Sequence, residues 1–341
     1  MKKILSQVLC LLFLLCLTGC ALNREAPPAG QPPVSSSEEE LSSLKESSPA
    51  AEAAGEDGLH FTDALGYPVH LKSYERVISL YGSFAETWML AGGTLAGTTS
   101  DAIEERGLAV GENTAIVGTV KEPNLEEIIA LAPDFVILSA DIAGQAALHE
   151  SLVTADIPHA YYRVDAFSDY LQMLSQFCEM TGREDLYEQN GLRIQKQVDQ
   201  VLELTKDKTG PSVLLLRAFS SGVKAKGADN LAGVILRDLH ADNLADRQES
   251  LLEDVSLEEI IACDPEIILI VTMGASEEKA MDFMAQRFES DPAWAGLSAV
   301  QSGRYLLLPK ELFHYKPNAR WGESYAYLAK ILYPELAAEI G

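Results

Sequence analysis

Apolar and polar positions divide the chain into stretches of different character. Val8–Leu17 is an unbroken apolar run behind a basic start at Lys2 and Lys3. It is shorter than the roughly 20 residues that a membrane-spanning helix needs. A charged start, a short apolar run and small residues at its end give the pattern of an export leader. From Ala21 to Gly58 the chain is largely Pro, Ser, Glu and Ala. It lacks the apolar surface needed to order itself and reads as a tether. Beyond Leu59, short apolar runs of strand type alternate with helical periods. Arg76–Leu80, Ala115–Val117, Phe135–Leu138 and His159–Tyr162 read as strands, with helical Gln145–Ala155 among them. Ser83 and Glu86 have the spacing of a capping box, and Gly92-Gly93 ends the helix they open.

From Ser168 to Lys206 only helical periodicity remains. It is carried by Leu171, Leu174, Phe177 and Cys178, then by Leu192, Ile194, Val198, Val201 and Leu202, with a break near Thr181-Gly182. Strand signals return at Val213–Leu216, Ile267–Ile270 and Tyr305–Leu308, with helices predicted over Asn230–His240 and Glu323–Leu332. The alternation predicts an α/β protein of two Rossmann-like α/β lobes joined by a long helical linker. The predicted divisions are a leader at 1–19, a tether at 20–58, an N-terminal lobe at 59–163, the linker at 164–210 and a C-terminal lobe at 211–341.

An internal repeat supports one similar unit per lobe. Leu125-Glu126-Glu127-Ile128-Ile129-Ala130 recurs as Leu257-Glu258-Glu259-Ile260-Ile261-Ala262, an offset of 132 residues. At the same offset Asn124 matches Ser256 as a helix cap, Pro133 matches Pro265, and Asp134 matches Glu266. Each copy predicts a capped helix, a proline stop and a buried strand. Two copies are too few for a solenoid.

Composition narrows the chemistry. Twenty-six basic against 51 acidic residues give a net charge of −25, which argues against nucleic acid and anionic membrane surfaces as partners. The six histidines are scattered without ligand spacing, so a bound metal ion and a free-metal cargo are not expected. No nucleophile elbow, phosphate loop or His-Glu-x-x-His motif points to an enzyme or a cofactor. Cys178 and Cys263 read as two separate buried thiols. Open α/β sheets bind ligands at the carboxyl ends of their strands. That rule selects three loops: Tyr81-Gly82-Ser83, Arg217 to Lys226, and Phe313 to Trp321. Within them Tyr81, Arg217, Lys224, Lys226, Tyr315, Arg320 and Trp321 are the candidate ligand contacts, cations for anionic groups and aromatics for stacking. Arg320 can instead pair with Glu323 across one helical turn, and Trp321 can serve the core.

Leu17-Thr18-Gly19-Cys20 resembles the lipobox of bacterial lipoproteins, which implies a lipid on Cys20 that anchors the protein to the extracytoplasmic face of the cell membrane; a monomer is expected. From Phe61 to Glu335 the chain resembles the helical-backbone class of substrate-binding proteins of ABC importers for siderophores, haem and cobalamin. The marks are Phe61-Thr62-Asp63-Ala64-Leu65-Gly66 as an opening strand, Arg76-Val77-Ile78-Ser79-Leu80 before Ser-x-x-Glu, Asn124-Leu125-Glu126, Pro133-Asp134, Val255-Ser256 with Glu258, Asp291-Pro292-Ala293-Trp294, Ala299-Val300 and Gly303-Arg304. The resemblance implies capture of an iron chelate, with cobalamin or haem as the alternative. It also implies that Glu126 and Glu258 dock to the permease, with Glu127 and Glu259 as neighbouring choices. A surface sensor or adhesin on the same fold is the reading outside transport. The chain departs from the pattern at Tyr81-Gly82, where the family often has Ser-Pro.

Overall fold

The computed structural model describes residues 58–340 apart from Asp254 and Ala275. The leader, Cys20 and the tether up to residue 57 lie outside the described residues. A short hairpin opens the body, with β1 (Leu59–Thr62) antiparallel to β2 (Pro68–Leu71). The Asp63 carboxylate closes its turn by accepting from the Leu65 and Tyr67 amides, both at 2.9 Å. It also accepts from the Tyr161 amide at 3.1 Å, tying the hairpin to the first large sheet.

That sheet contains β3 (Val77–Ser79), β4 (Leu95–Thr98), β5 (Ala115–Ile116), β6 (Phe135–Ser139) and β7 (His159–Tyr162). They run parallel in the order β5-β4-β3-β6-β7. The second sheet contains β8 (Ser212–Phe219), β9 (Gly222–Ala225), β10 (Asp242–Asn243), β11 (Ile267–Thr272) and β12 (Tyr305–Leu307). Its parallel order is β10-β8-β11-β12, with β9 folding back antiparallel onto β8. The α/β class with two sheet-centred lobes therefore holds. Arg217–Lys226, read from sequence as a loop, is instead a hairpin: β8 continues to Phe219 and returns as β9, placing Arg217 opposite Lys224.

The internal repeat is structural down to single groups. Asn124 accepts from the Glu126 and Glu127 amides, and Ser256 accepts from the Glu259 amide, so both helices are capped as their sequences require. The residue before each proline is left-handed, Ala132 at φ 46° shortly after the first helix and Asp264 at φ 39° at the cap of the second. The acid after each proline then grips the start of the neighbouring central strand. Asp134 accepts from the Glu75 and Arg76 amides at 2.9 and 2.8 Å, and Glu266 from the Ser212 amide at 3.1 Å. The strands that follow, β6 and β11, are buried at every position, which explains their continuous apolar runs.

Ser83 does not cap its helix. The helix spans Gly82–Leu90 with Tyr81 at the cap position and no side-chain cap bond. Ser83 and Glu86 are drawn to other partners, as described below, because a charge-assisted bond to a guanidinium outweighs a local cap. The linker consists of helices Phe167–Thr181 and Glu184–Tyr187, a π-helical turn at Glu188–Leu192, and helix Arg193–Thr205. Its break falls at Gly182, which takes φ 66°. One core cluster runs from Val77, Phe84 and Phe135 of the first lobe through Phe167, Tyr170, Leu174 and Phe177 of the linker to Val213, Leu215 and Ile267 of the second. Cys178 is buried in it as a free thiol, and burial pushes its pKa up to about 11. Cys263, expected to be buried, is also free but only partly buried, with its thiol against the Gln248 side-chain oxygen at 3.0 Å. Among the described residues no helix is long and apolar enough to cross a membrane.

Candidate ligand cleft

Three segments come within electrostatic reach of one another: Tyr81 after β3, Arg217 near the end of β8, and His314-Tyr315-Lys316 after the helix Lys310–Phe313. Gly82 sets the first. A Cβ there would lie 2.8 Å from the Ala102 backbone, so only glycine lets the two segments touch. The Asp101 carboxylate seals that contact by accepting from the Gly82 amide at 2.8 Å and the Thr99 hydroxyl at 2.6 Å. The close approach delivers Arg106 into the cleft.

Arg106 is the best-held cation of the group. It pairs with Glu86, donates to the Ser83 hydroxyl at 3.2 Å, and lies over the Tyr315 ring with its guanidinium carbon 5.9 Å from the centroid. Its Nε is buried without a partner. Burial lowers its pKa to about 10, against the pull of the Tyr81 and Tyr315 phenols, so it stays charged at neutral pH. Glu86 is shared: Asn318, from the opposite lobe, donates to it at 2.7 Å and to the Ser83 carbonyl at 2.9 Å. A second link joins Lys316 to Asp165 at the start of the linker, at 3.2 Å.

Arg217 is held less. Its guanidinium makes no hydrogen bond to another described group, and its Nε is buried and unsatisfied. Burial lowers its pKa, while Asp229 and Tyr81 act the other way. His314 sits beside it, 5.1 Å from the Tyr315 ring between centroids. Burial, then Arg217, Lys310 and Lys316, drive His314 down to about 4, so its imidazole is neutral. Tyr315 is pushed up to about 12 by burial and then by the Glu105 carboxylate. The cleft thus holds one fixed guanidinium in Arg106, a second without hydrogen-bond partners in Arg217, two phenols and one neutral imidazole. It suits an anionic ligand with a surface on which rings can lie.

Residues 77–312 match the family described as periplasmic binding proteins. The chain belongs to that family. A curated relative, the Fe(3+)-citrate-binding protein YfmC of Bacillus subtilis, is 29% identical over 196 residues, covering 55% of this chain and 57% of that protein. The match thus spans just over half the length of each. Among solved structures, a TroA-like periplasmic binding protein FepB from Veillonella parvula aligns with a TM-score of 0.65 at 19% identity, covering 83% of this chain and 92% of that one. Staphylococcus aureus SirA complexed with staphyloferrin B aligns at 0.60 and 20% identity, covering 81% and 98%. S. aureus IsdE complexed with heme aligns at 0.64 and 14%, covering 76% and 98%. At these identities the structures establish the fold.

Against that fold the sequence-selected residues separate. Tyr81, Arg217 and Tyr315 are brought together. Lys224 lies opposite Arg217 in the hairpin but is exposed, and Lys226 is taken up by Asp229. Arg320 is clamped by Glu323 at 3.0 and 2.7 Å, the helical pairing that its spacing allowed. Trp321 is a correction: it is fully buried between Phe167 and Tyr325 and belongs to the core. Its indole faces the apolar side of the helix Trp321–Leu332, where a large ring gains most from burial. Arg106 and His314 were not among the selected residues. Arg106 lies outside every strand-end loop, and a lone histidine carries no spacing signal.

Proposed function

We propose that this protein is the substrate-binding component of an ABC importer, taking up an anionic iron chelate of the carboxylate or siderophore type. The observation that carries the reading is Arg217, a half-buried guanidinium whose Nε is buried without a hydrogen-bonding partner, in a group with Arg106, Tyr81 and Tyr315. A half-buried guanidinium with an unsatisfied Nε gains from a charged acceptor, and an anionic ligand supplies one. The ferric citrate of the B. subtilis relative and the staphyloferrin B in SirA support the same ligand class. A tetrapyrrole is the second reading, favoured by neutral His314 beside the cleft phenols. Anchoring through Cys20 as a monomer on the extracytoplasmic face, and docking of Glu126 and Glu258 to the permease, complete the proposal. Both glutamates are exposed at the start of equivalent helices. Glu258 is preferred over Glu259, whose carboxylate lies 3.2 Å from the Ser256 hydroxyl.

Intrinsic-fluorescence titration of the full chain against ferric citrate, ferric siderophores, haemin, cobalamin, Zn2+ and Mn2+ tests the ligand class. Saturable quenching by a ferric chelate is expected. Tight binding of a bare metal ion with no response to any chelate overturns the reading.

A further inference from the structure

The helices Leu125–Ala130 and Leu257–Cys263 share more than their glutamates. Their buried position is the same, Ile128 and Ile260, each at 0% exposure. Core packing explains that match. It does not explain the next residue. Ile129 and Ile261 stand out into solvent at 44% and 40% exposure. Among the exposed large apolar side chains of the described residues, these two alone are related by the repeat offset. Each lies three residues after its glutamate, on the same helix face, and is followed by an exposed alanine, Ala130 or Ala262. Each lobe thus presents a carboxylate, an isoleucine and a flat alanine in one order. Scattered exposed apolar residues need no explanation, but the same one repeated in the same setting does.

A short link at the amino end of β6 or β11 makes each helix run back along the strand it feeds. Its start is therefore directed toward the carboxyl edge of its sheet, the edge that also carries the cleft loops. We infer that Ile129 and Ile261 are the apolar half of the docking surface, and that its occupant is a pair of like permease subunits, each offering a cation beside an apolar socket. The strongly acidic chain supplies the charge complementarity, and two equivalent patches require two equivalent receivers. The inference rests on the docking reading above and adds the contact that salt does not screen.

The test compares full-length chains in their native membrane. Photo-crosslinkers at residues 130 and 262 report contact in wild type, in I129S/I261S and in E126Q/E258Q, at low salt and at about 0.5 M salt, where the Debye length is only a few Å. Both isoleucines are exposed, so unchanged melting temperatures are expected and serve as the folding control. Crosslinks from both positions to the same permease polypeptide, lost at least tenfold in I129S/I261S at both salt concentrations, support the inference. Normal crosslinking by I129S/I261S with loss in E126Q/E258Q overturns it and leaves the docking reading standing. Normal crosslinking in both double variants overturns the docking reading itself. Crosslinks to a second copy of this chain, or to two unrelated polypeptides, overturn the inference.

Discussion

Arg217 lies two residues from the end of β8, and no described acceptor meets its guanidinium. Removing it should therefore act in opposite directions on binding and on stability. Arg217→Gln is expected to weaken an anionic chelate by about 1.5–3 kcal/mol, the scale of a bond to a charged group. It should leave the melting temperature of the ligand-free chain unchanged or higher, because a donor left unsatisfied inside the fold is gone. Parallel titration and thermal melts check this; a large loss of stability would mean that the guanidinium has a structural partner. His314 provides a pH test. Its folded pKa of about 4 lies below the ordinary value of 6.5. Between those values the unfolded chain binds a proton that the folded chain does not, so stability falls as pH drops from about 6.5 to about 4. His314→Gln should flatten that fall by up to about 3 kcal/mol, measured as the difference between urea midpoints at pH 7 and pH 4.5. Arg217 was legible in sequence as a cation at a strand end. Neither His314 nor Arg106 was, because their importance comes from groups far along the chain: Tyr315 for Arg106, and Arg217 for His314.

At the scale of elements, the repeated helix–strand unit was fully readable, since caps, prolines and buried strands are local features. The hairpin Arg217–Lys226 was not. Ser221-Gly222 marks a turn, but the short Gly222–Ala225 becomes a strand only because β8 offers an edge. The helix Gly82–Leu90 shows the same limit, for a correct period came with a wrong cap. Gly82→Ala sharpens the point. The added methyl meets the Ala102 backbone at 2.8 Å, where no flexible side chain can move aside. A loss of about 1–3 kcal/mol is expected from such overpacking. Because that contact positions both Tyr81 and Arg106, ligand affinity should fall with it. Full affinity in a destabilised Gly82→Ala chain would show that the contact does not shape the cleft.

At the scale of the whole molecule, one core passes through both lobes and the linker. Pulling the lobes apart would expose that apolar layer and break the Asn318 bonds to the first lobe and the Lys316 bond to the start of the linker. The linker is bent at Gly182 rather than straight, yet Phe167, Tyr170, Leu174 and Phe177 fix it to the core on the first side of the bend, and Val198 and Val201 on the other. Small-angle scattering should therefore give the same radius of gyration with and without ferric chelate, and a marked contraction on binding would contradict a shared core. The sequence by itself determined the α/β class, the doubled unit and the helical linker, because periodicity, caps and proline stops act over a few residues. Only the tertiary structure decided that Trp321 is core, that Arg320 and Lys226 are neutralised locally, and that Arg106, Arg217 and His314 share one cleft. Burial and electrostatic partnership depend on which distant segments the sheets bring together, and no local pattern records that.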